Sequence, residues 1–357
     1  MTDSADIMRA AVAAGPPVDL DGTMGEGGGQ VLRSALALSI LTGRPLRIEN
    51  IRGGRPRPGL MRQHLTAVRA AATICNGQVA GDELGSCLVG FQPGPVAGGT
   101  WTFDIGSAGS TSLVLQTILL PLVLGDGPSR VTIIGGTHNP AAPTSDYLER
   151  AWLPLVRRMG AKVTFSRERY GFMPAGGGRI VVDVEPIREL ESLDLVDGGE
   201  ITGRSAVVLS SHVPNSVGKS EAALVRELTG WSRELVQSIN VDEASNGPGN
   251  AVRLELQREH VTEIFTGLGR RGRRGDDVVR SVVEAYRRHL VRSVPVGPHL
   301  ADQLMLPLAV AGGGAFRTGP LTKHSQTNID VIERFLDVRF AVQEDASGTT
   351  VRVATGR

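Results

Sequence analysis

Apolar and polar positions along the chain switch between two periods. Behind the glycine-rich stretch Asp21-Gly22-Thr23-Met24-Gly25-Glu26-Gly27-Gly28-Gly29-Gln30, the apolar residues from Val31 to Leu41 run at helical spacing. Leu46 to Ile51 then alternates with a period of two and predicts a strand. Leu60 to Ile74 returns to helical spacing through Leu65, Val68 and Ala72, Gly77 follows its end, and Gln78-Val79 starts another strand. The same order reappears downstream. Arg130 to Ile134 reads as a strand, Gly135-Gly136-Thr137-His138-Asn139-Pro140 as a loop, Asp146 to Met159 as a helix, and Gly160 to Thr164 leads into the next strand. Gly53-Gly54, Pro58 and Gly77 of the first cassette correspond to Gly135-Gly136, Pro140 and Gly160 of the second at an offset of 82 or 83 positions. A near-constant offset predicts an internal structural repeat. Triple glycines at 27–29, 176–178 and 312–314 are taken as further marks of that unit. The expected fold class is α/β (α+β): a large domain of three to four repeated αβ units, small sheets with helices on one face, plus a smaller inserted αβ domain.

The pattern changes near residue 197. From there to about residue 290, strands are expected at Ser205 to Leu209 and Ala251 to Leu256, helices at Lys219 to Thr229 and Asp276 to Val291, and a loop at Ala244 to Asn250, without a triple glycine. The expected organisation is a mobile tail at 1–17, the first part of the large domain at 18–196, an inserted domain at 197–290 and the last part of the large domain at 291–357. Leu113 to Leu124 is too short to span a bilayer and contains Gln116 and Pro121, so it reads as a buried helix. The N-terminus carries Asp3 and Asp6 and lacks the apolar core of a secretory signal. Cys75 and Cys87 are too few for a disulfide framework and lack metal-ligand spacing, which points to reduced thiols in the cytoplasm. A net charge of +1 gives no global field to draw in nucleic acid. Any phosphate or RNA contact must therefore come from local clusters of Arg, whose fork suits phosphate.

The glycine-rich stretch ahead of a helix is a ready anion site, because the first N–H groups of a helix are unpaired and the dipole is positive there. It lacks the Gly-Lys-Ser/Thr of a P-loop, and Gln30 stands where the third glycine of a dinucleotide fingerprint would be. A tight turn between strand and helix accounts for it equally well. Ile105-Gly106-Ser107-Ala108-Gly109-Ser110 is a second loop of the same kind. The loop from Arg52 to Gly59 carries three arginines, and Arg62-Gln63-His64 follows; this is either a phosphate clamp or a polar surface cluster. His324 lies just ahead of the apolar helical run Ile329 to Phe335 and could be nucleophile, base or helix cap. Arg270-Arg271-Gly272-Arg273-Arg274 reads as a solvated loop before a nucleic-acid patch. No Ser-His-Asp order and no zinc spacing stands out. The residues alone reach a repeated αβ protein with several anion-friendly loops and stop short of a reaction.

Motifs in a fixed order go further. They are Asp21-Gly22 with Gly25 to Gln30 and Leu32-Arg33-Ser34-Ala35-Leu36, then Arg55 with Pro58-Gly59-Leu60 and Arg62 to Ala67, and Ile105 to Ser110. Leu113 to Thr117, Gly135-Gly136-Thr137 with Asn139-Pro140, and Pro174 to Gly178 follow. Gly247-Pro248-Gly249-Asn250, Leu300 to Leu304, and His324 with Thr327-Asn328-Ile329 complete the set. From about residue 19 to 353 the chain resembles the RNA 3'-terminal phosphate cyclases.

The resemblance implies a large domain of repeated αβ units with a small insert. It also implies a ligase that uses ATP to convert an RNA 3'-phosphate to a 2',3'-cyclic phosphate through a covalent histidine–AMP and an RNA–adenylate. On that likeness His324 is the nucleophile, and Glu26 binds a divalent metal, Mg or Mn. Gln116, His299, Asp302 and Gln303 line the ATP pocket, and Arg33, Arg52, Arg55, Gln63 and His64 hold RNA or ATP phosphates. His299 stands where bacterial members place a tyrosine that stacks on adenine, and Ser325-Gln326 replaces the usual residues after the histidine. The implied partners are ATP and RNA with a 3'-phosphate end, without a membrane; the oligomeric state stays open, a homodimer among the options. Two other readings compete. Non-catalytic ribosome-biogenesis relatives lack the histidine, and enolpyruvyl transferases share repeated αβ units but need no histidine adenylate.

Overall fold

The computed structural model describes residues 16–356, so most of the tail expected at 1–17 lies outside the described residues. The first unit runs β1 (Val18–Asp21), α1 (Gln30–Thr42), β2 (Leu46–Glu49), α2 (Arg62–Ile74), β3 (Gln78–Ala80) and β4 (Val89–Gln92). The second runs β5 (Gly99–Asp104), α3 (Thr111–Val123), β6 (Ser129–Gly135), a helical stretch over 145–158 here called α4, β7 (Lys162–Arg169) and β8 (Gly178–Glu185). The third opens with β9 (Leu193–Leu195). An excursion then intervenes: β10 (Ile201–Ser211), α5 (Asn215–Thr229), β11 (Val236–Asn240), β12 (Gly249–Arg258), β13 (Thr262–Leu268) and α6 (Gly275–Arg292). The third unit resumes with α7 (Pro298–Val310), β14 (Gly313–Thr318), α8 (Lys323–Phe335), β15 (Val338–Asp345) and β16 (Gly348–Thr355).

Each unit is therefore βαβαββ with one strand order: β1-β2-β4-β3, β5-β6-β8-β7 and β9-β14-β16-β15. In all three the first two strands are parallel and the other pairings antiparallel. The parallel pair needs a crossover helix, which supplies α1, α3 and α7. The fourth sheet, β11-β10-β12-β13, belongs to the excursion and has a different order of elements. The repeat thus occurs three times among the described residues.

The core sits between the helices. α1 packs on α2, α3 and α8, and α8 on α7, and one apolar cluster runs from Val18 to Val353 through all three units. α3 shows why: from Thr111 to Val123 every residue is buried except Gln116. The excursion has its own core around Val208, Val225, Leu254, Val279 and Tyr286. A buried polar seam ties it to the second unit. Asp146 of α4 accepts from Arg253 Nη1 of β12 at 2.7 Å, lies 3.2 Å from Arg167 Nη1, and is 2.7 Å from His138 Nε2.

Several expectations need correction. The triple glycines do not mark equivalent places: one precedes α1, one precedes β8, and one spans the join of α7 and β14. The offset pair Gly53-Gly54 and Gly135-Gly136 does lie in the same connection, between the second strand and the second helix of its unit, although Gly135 closes β6 while Gly53 comes four residues after β2 ends. The second strand stops at Glu49 rather than Ile51, because Asn50 and Arg52 turn left-handed with φ of 52° and 56°. α2 starts at Arg62 rather than Leu60, because the Leu60 N–H is committed to Ser86 O at 2.9 Å and Met61 is extended as the N-cap. The helix expected from Asp146 to Met159 contains a π-helical turn, Leu148–Trp152. Pro154 lies two residues past its end and has no N–H for the carbonyl of Arg150, which favours a local change of hydrogen-bond register.

Candidate functional site

The N-terminal ends of α1, α2, α3, α7 and α8 converge. α8 begins behind Thr322, whose hydroxyl accepts the Ser325 N–H at 3.1 Å and so caps the helix. His324 is thereby in its first turn. His324 Nδ1 lies 2.6 Å from Gln30 Oε1 in the first turn of α1, and Nε2 lies 2.9 Å from Glu26 Oε2 in the loop before it. Glu26 Oε2 also receives Arg55 Nη2 at 3.2 Å. All three side chains are partly exposed, 40% for His324, 39% for Glu26 and 40% for Arg55, so the group opens to solvent.

Asp302 and Gln303 stand side by side on α7. Asp302 Oδ1 accepts from Gln30 Nε2 at 2.6 Å, and its backbone carbonyl accepts from Asn328 Nδ2 at 3.0 Å. Burial pushes the Asp302 carboxyl up, while the Gln30 bond and the nearby His324, Arg33 and His299 oppose this. Gln303 Oε1 accepts from Gln116 Nε2 at 2.7 Å, and Gln303 O accepts from Trp152 Nε1 at 3.1 Å. Gln116 is thus the polar position that lets α3 reach the site. His299 sits exposed in the first turn of α7, upstream of both.

The phosphate candidates divide by what they already hold. Arg55 is exposed and bound to Glu26. Arg33 is half-buried; burial lowers its guanidinium to about 10, and Asp302 opposes the shift. Arg52 is buried, and its Nη1 donates to the carbonyls of Arg57 at 2.6 Å and Gly59 at 3.0 Å, so it shapes the arginine loop from within. Gln63 Oε1 accepts the Ser110 N–H at 2.9 Å and ties α2 to the start of α3. His64 is buried, and burial together with Arg33 and Arg52 lowers its pKa to about 3. Its Nδ1 accepts the Met61 N–H at 3.3 Å, so the neutral ring carries its proton on Nε2, which points past Gly29 beside Arg33. These groups together give fixed donors and helix N-termini around one opening, an arrangement suited to a polyanion.

No group of three or more His, Cys, Asp and Glu is placed to hold a metal ion among the described residues. Glu26 is the one carboxylate expected to bind a metal. A divalent ion that takes one carboxylate and completes its shell with phosphate oxygens and water fits that donor set.

Gln30, Ser34 and Asn328 lie within the motifs, but the sequence attaches no role to them. The signal was there for the first two: with Arg33 they form a polar stripe at positions 30, 33 and 34, in the first two turns of a mainly apolar helix. Their partners on α7 and α8 lie 272 and 294 positions away and were not legible.

Comparison with known proteins gives consistent matches. The sequence model of the RNA 3'-terminal phosphate cyclase family matches residues 24–342. The chain is 49% identical over 337 residues to the RNA 3'-terminal phosphate cyclase of Salmonella typhimurium, covering 94% of this chain and 98% of that protein. It is 50% identical over 322 residues to that of Pseudomonas fluorescens, covering 90% and 93%. It is 47% identical over 351 residues to that of Ralstonia nicotianae, covering 97% and 99%.

Proposed function

This chain belongs to the RNA 3'-terminal phosphate cyclase family, and on that premise we propose that it runs its reaction through His324 with ATP as the activating substrate. The observation that carries the reading is the fixed yet open imidazole. One ring nitrogen is anchored to Gln30, and the other faces the partly exposed Glu26, which also holds Arg55, with Arg55, Arg33 and His64 packed along the adjoining Gly28-Gly29.

Three steps follow. His324 Nε2 attacks the α-phosphorus of ATP, a P–N bond forms, the bond to the bridging oxygen breaks, and pyrophosphate leaves. An oxygen of the RNA 3'-phosphate then attacks the same phosphorus and the P–N bond breaks, which returns the histidine and leaves an RNA–adenylate anhydride. The 2'-hydroxyl loses its proton and attacks the 3'-phosphorus, AMP departs, and the 2',3'-cyclic phosphate remains. A phosphomonoester dianion repels nucleophiles and lacks a good leaving group, so the adenylate supplies one. The vicinal hydroxyl is already positioned and gains from high effective molarity, and the covalent histidine splits one hard step into easier ones.

Arg33, Arg55, Gln63 and His64 would hold the phosphates, with Arg52 bracing their loop. Gln116, Asp302 and Gln303 would line the nucleoside side, with His299 stacking on adenine. Glu26 would hold a divalent ion, which supplies charge neutralisation at the triphosphate. The excursion, expected over 197–290, is read as an inserted domain on the strength of its separate sheet and core. No helix among the described residues is long and apolar enough to cross a membrane; a cytoplasmic location is part of the same proposal.

The test is self-adenylylation. Protein incubated with α-labelled ATP and Mg²⁺ or Mn²⁺, without RNA, should retain label after denaturation, and His324→Ala should not. Full labelling of His324→Ala would remove the histidine from the role.

A further inference from the structure

Imidazole can attack only through a nitrogen that carries no proton, so the tautomer of His324 decides which atom is the nucleophile. Both ring nitrogens face acceptors here, Gln30 Oε1 at 2.6 Å from Nδ1 and Glu26 Oε2 at 2.9 Å from Nε2. A neutral ring has one proton for the two of them. The two acceptors differ in what holds them. Glu26 is partly exposed, and its Oε2 is shared with Arg55. Gln30 is pinned from behind: its Nε2 donates to Asp302 Oδ1 at 2.6 Å. An amide has one donor end and one acceptor end. With the NH₂ committed to a carboxylate, the oxygen must point at the ring, and only an N–H can face it.

A second bridge runs alongside and meets only the main chain at Asp302: the Asp302 backbone carbonyl receives Asn328 Nδ2 at 3.0 Å, and Asn328 Oδ1 accepts from Ser34 Oγ at 2.8 Å. Gln30 and Ser34 are four apart on α1, and His324 and Asn328 four apart on α8, so each pair shares a helix face. Two bridges cross between the same helices, and only one of them reaches the histidine.

We propose that Gln30, oriented by Asp302, is a positioning residue that keeps the His324 proton on Nδ1 and reserves the Nε2 lone pair for phosphorus. This rests on the reading of His324 as the nucleophile. It also gives Asp302 a second task besides lining the nucleotide pocket: as acceptor of the Gln30 NH₂, its Oδ1 selects the rotation of an amide.

The test compares wild type, Gln30→Leu, Ser34→Ala, Gln30→Glu and the double variant Gln30→Glu/Asp302→Asn in self-adenylylation with α-labelled ATP and Mg²⁺. Rates are taken over a range of ATP, and the linkage nitrogen of the wild-type adenylate is assigned by NMR. The expected wild-type linkage is Nε2. Gln30→Leu should lower the rate at saturating ATP by roughly 10–100-fold, as loss of a histidine's orienting partner does, with a much smaller change in the ATP concentration needed for half-saturation. Ser34→Ala breaks the neighbouring bridge without touching the ring and should stay near wild type. Gln30→Glu alone sets two carboxylates together and should be slow. The double variant exchanges the two groups: an amide at position 302 donates to a carboxylate at position 30, which accepts the ring N–H. It should recover rate at saturating ATP over Gln30→Glu. Linkage through Nδ1, a wild-type rate for Gln30→Leu, or an equal loss in Ser34→Ala would overturn the relay while leaving His324 as nucleophile. A wild type that takes no label overturns the nucleophile reading and the relay with it.

Discussion

Glu26 Oε2 stands 2.9 Å from His324 Nε2 and 3.2 Å from Arg55 Nη2, so a single carboxylate oxygen joins the glycine-rich loop, the arginine loop and the last helix of the third unit. Glu26→Gln keeps the size and removes the charge. It should lower the rate of self-adenylylation roughly tenfold or more and shift the divalent-ion titration to higher concentration. Labelling over a Mg²⁺ series checks both. Wild-type behaviour in that series removes Glu26 from the metal role.

Gly25 has φ of +61°, and a Cβ there would collide with Thr327 Oγ1 on α8. Gly25→Ala should therefore cost about 1–3 kcal/mol, read as a lower midpoint of thermal unfolding, together with a loss of adenylylation as the loop moves off α8. Gly43 is the matched control. It has φ of +68° at the end of α1 but nothing within 4 Å, so Gly43→Ala should cost about 1 kcal/mol and leave adenylylation intact.

In the proposed role of stacking on adenine, His299 would offer a smaller surface than a tyrosine. His299→Tyr should lower the KM for ATP by roughly 2–10-fold, the equivalent of about 0.5–1.5 kcal/mol for an aromatic pair. The maximal rate should change less, because stacking acts on substrate and transition state alike. Steady-state kinetics over a range of ATP separate the two.

Glu263 is buried on β13, and burial pushes its carboxyl up to about 8, with the Gly297 N–H opposing. The folded protein then holds a proton that the unfolded chain releases from its ordinary 4.5 upward. The resulting stability is complete below 4.5 and falls as pH rises toward 8. Glu263→Gln mimics the protonated form and keeps an acceptor for Gly297. Its thermal midpoint should exceed that of wild type at pH 8 and match it near pH 4.5. An unchanged difference across this range would refute the assignment.

Burial pushes the Asp146 carboxyl up, but His138, Arg167 and Arg253 overcome it and hold the group well below the usual carboxylate range. The sign is that of a depressed acid: stability is present above the ordinary value of 3.8 and is lost as pH falls below it. Asp146→Leu takes from two arginines the carboxylate they share in the seam between the second unit and the excursion, and should cost about 3–5 kcal/mol. Asp146→Leu/Arg253→Met should recover part of that in chemical denaturation.

Much of the fold was legible because it is local. Periodicity placed α3, α5, α6 and both cassettes within a few residues, and the offset of Gly53 and Gly135 exposed the repeat before any strand was paired. The errors came from backbone chemistry that composition does not display. Left-handed turns at Asn50 and Arg52 cut β2 short, and Pro154 distorted α4. The triple glycines misled because close backbone approach arises at unrelated places in a unit. The candidate site residues His324, Glu26 and Arg55 came from motifs and the family resemblance, not from periodicity.

The sequence by itself determined which side chains are available and where each sits on its own helix: Gln30, Arg33 and Ser34 on one polar stripe, His324 in a capped first turn, Gln116 amid the apolar run of α3. Only the tertiary structure decided which of them meet. Three βαβαββ units bring helix starts from both ends of the chain to one opening, and there the free orientation of an amide becomes fixed. Gln30 has no preferred rotation in isolation. Asp302, 272 positions away, supplies it, because its Oδ1 accepts the Gln30 NH₂ and leaves the amide oxygen facing His324 Nδ1.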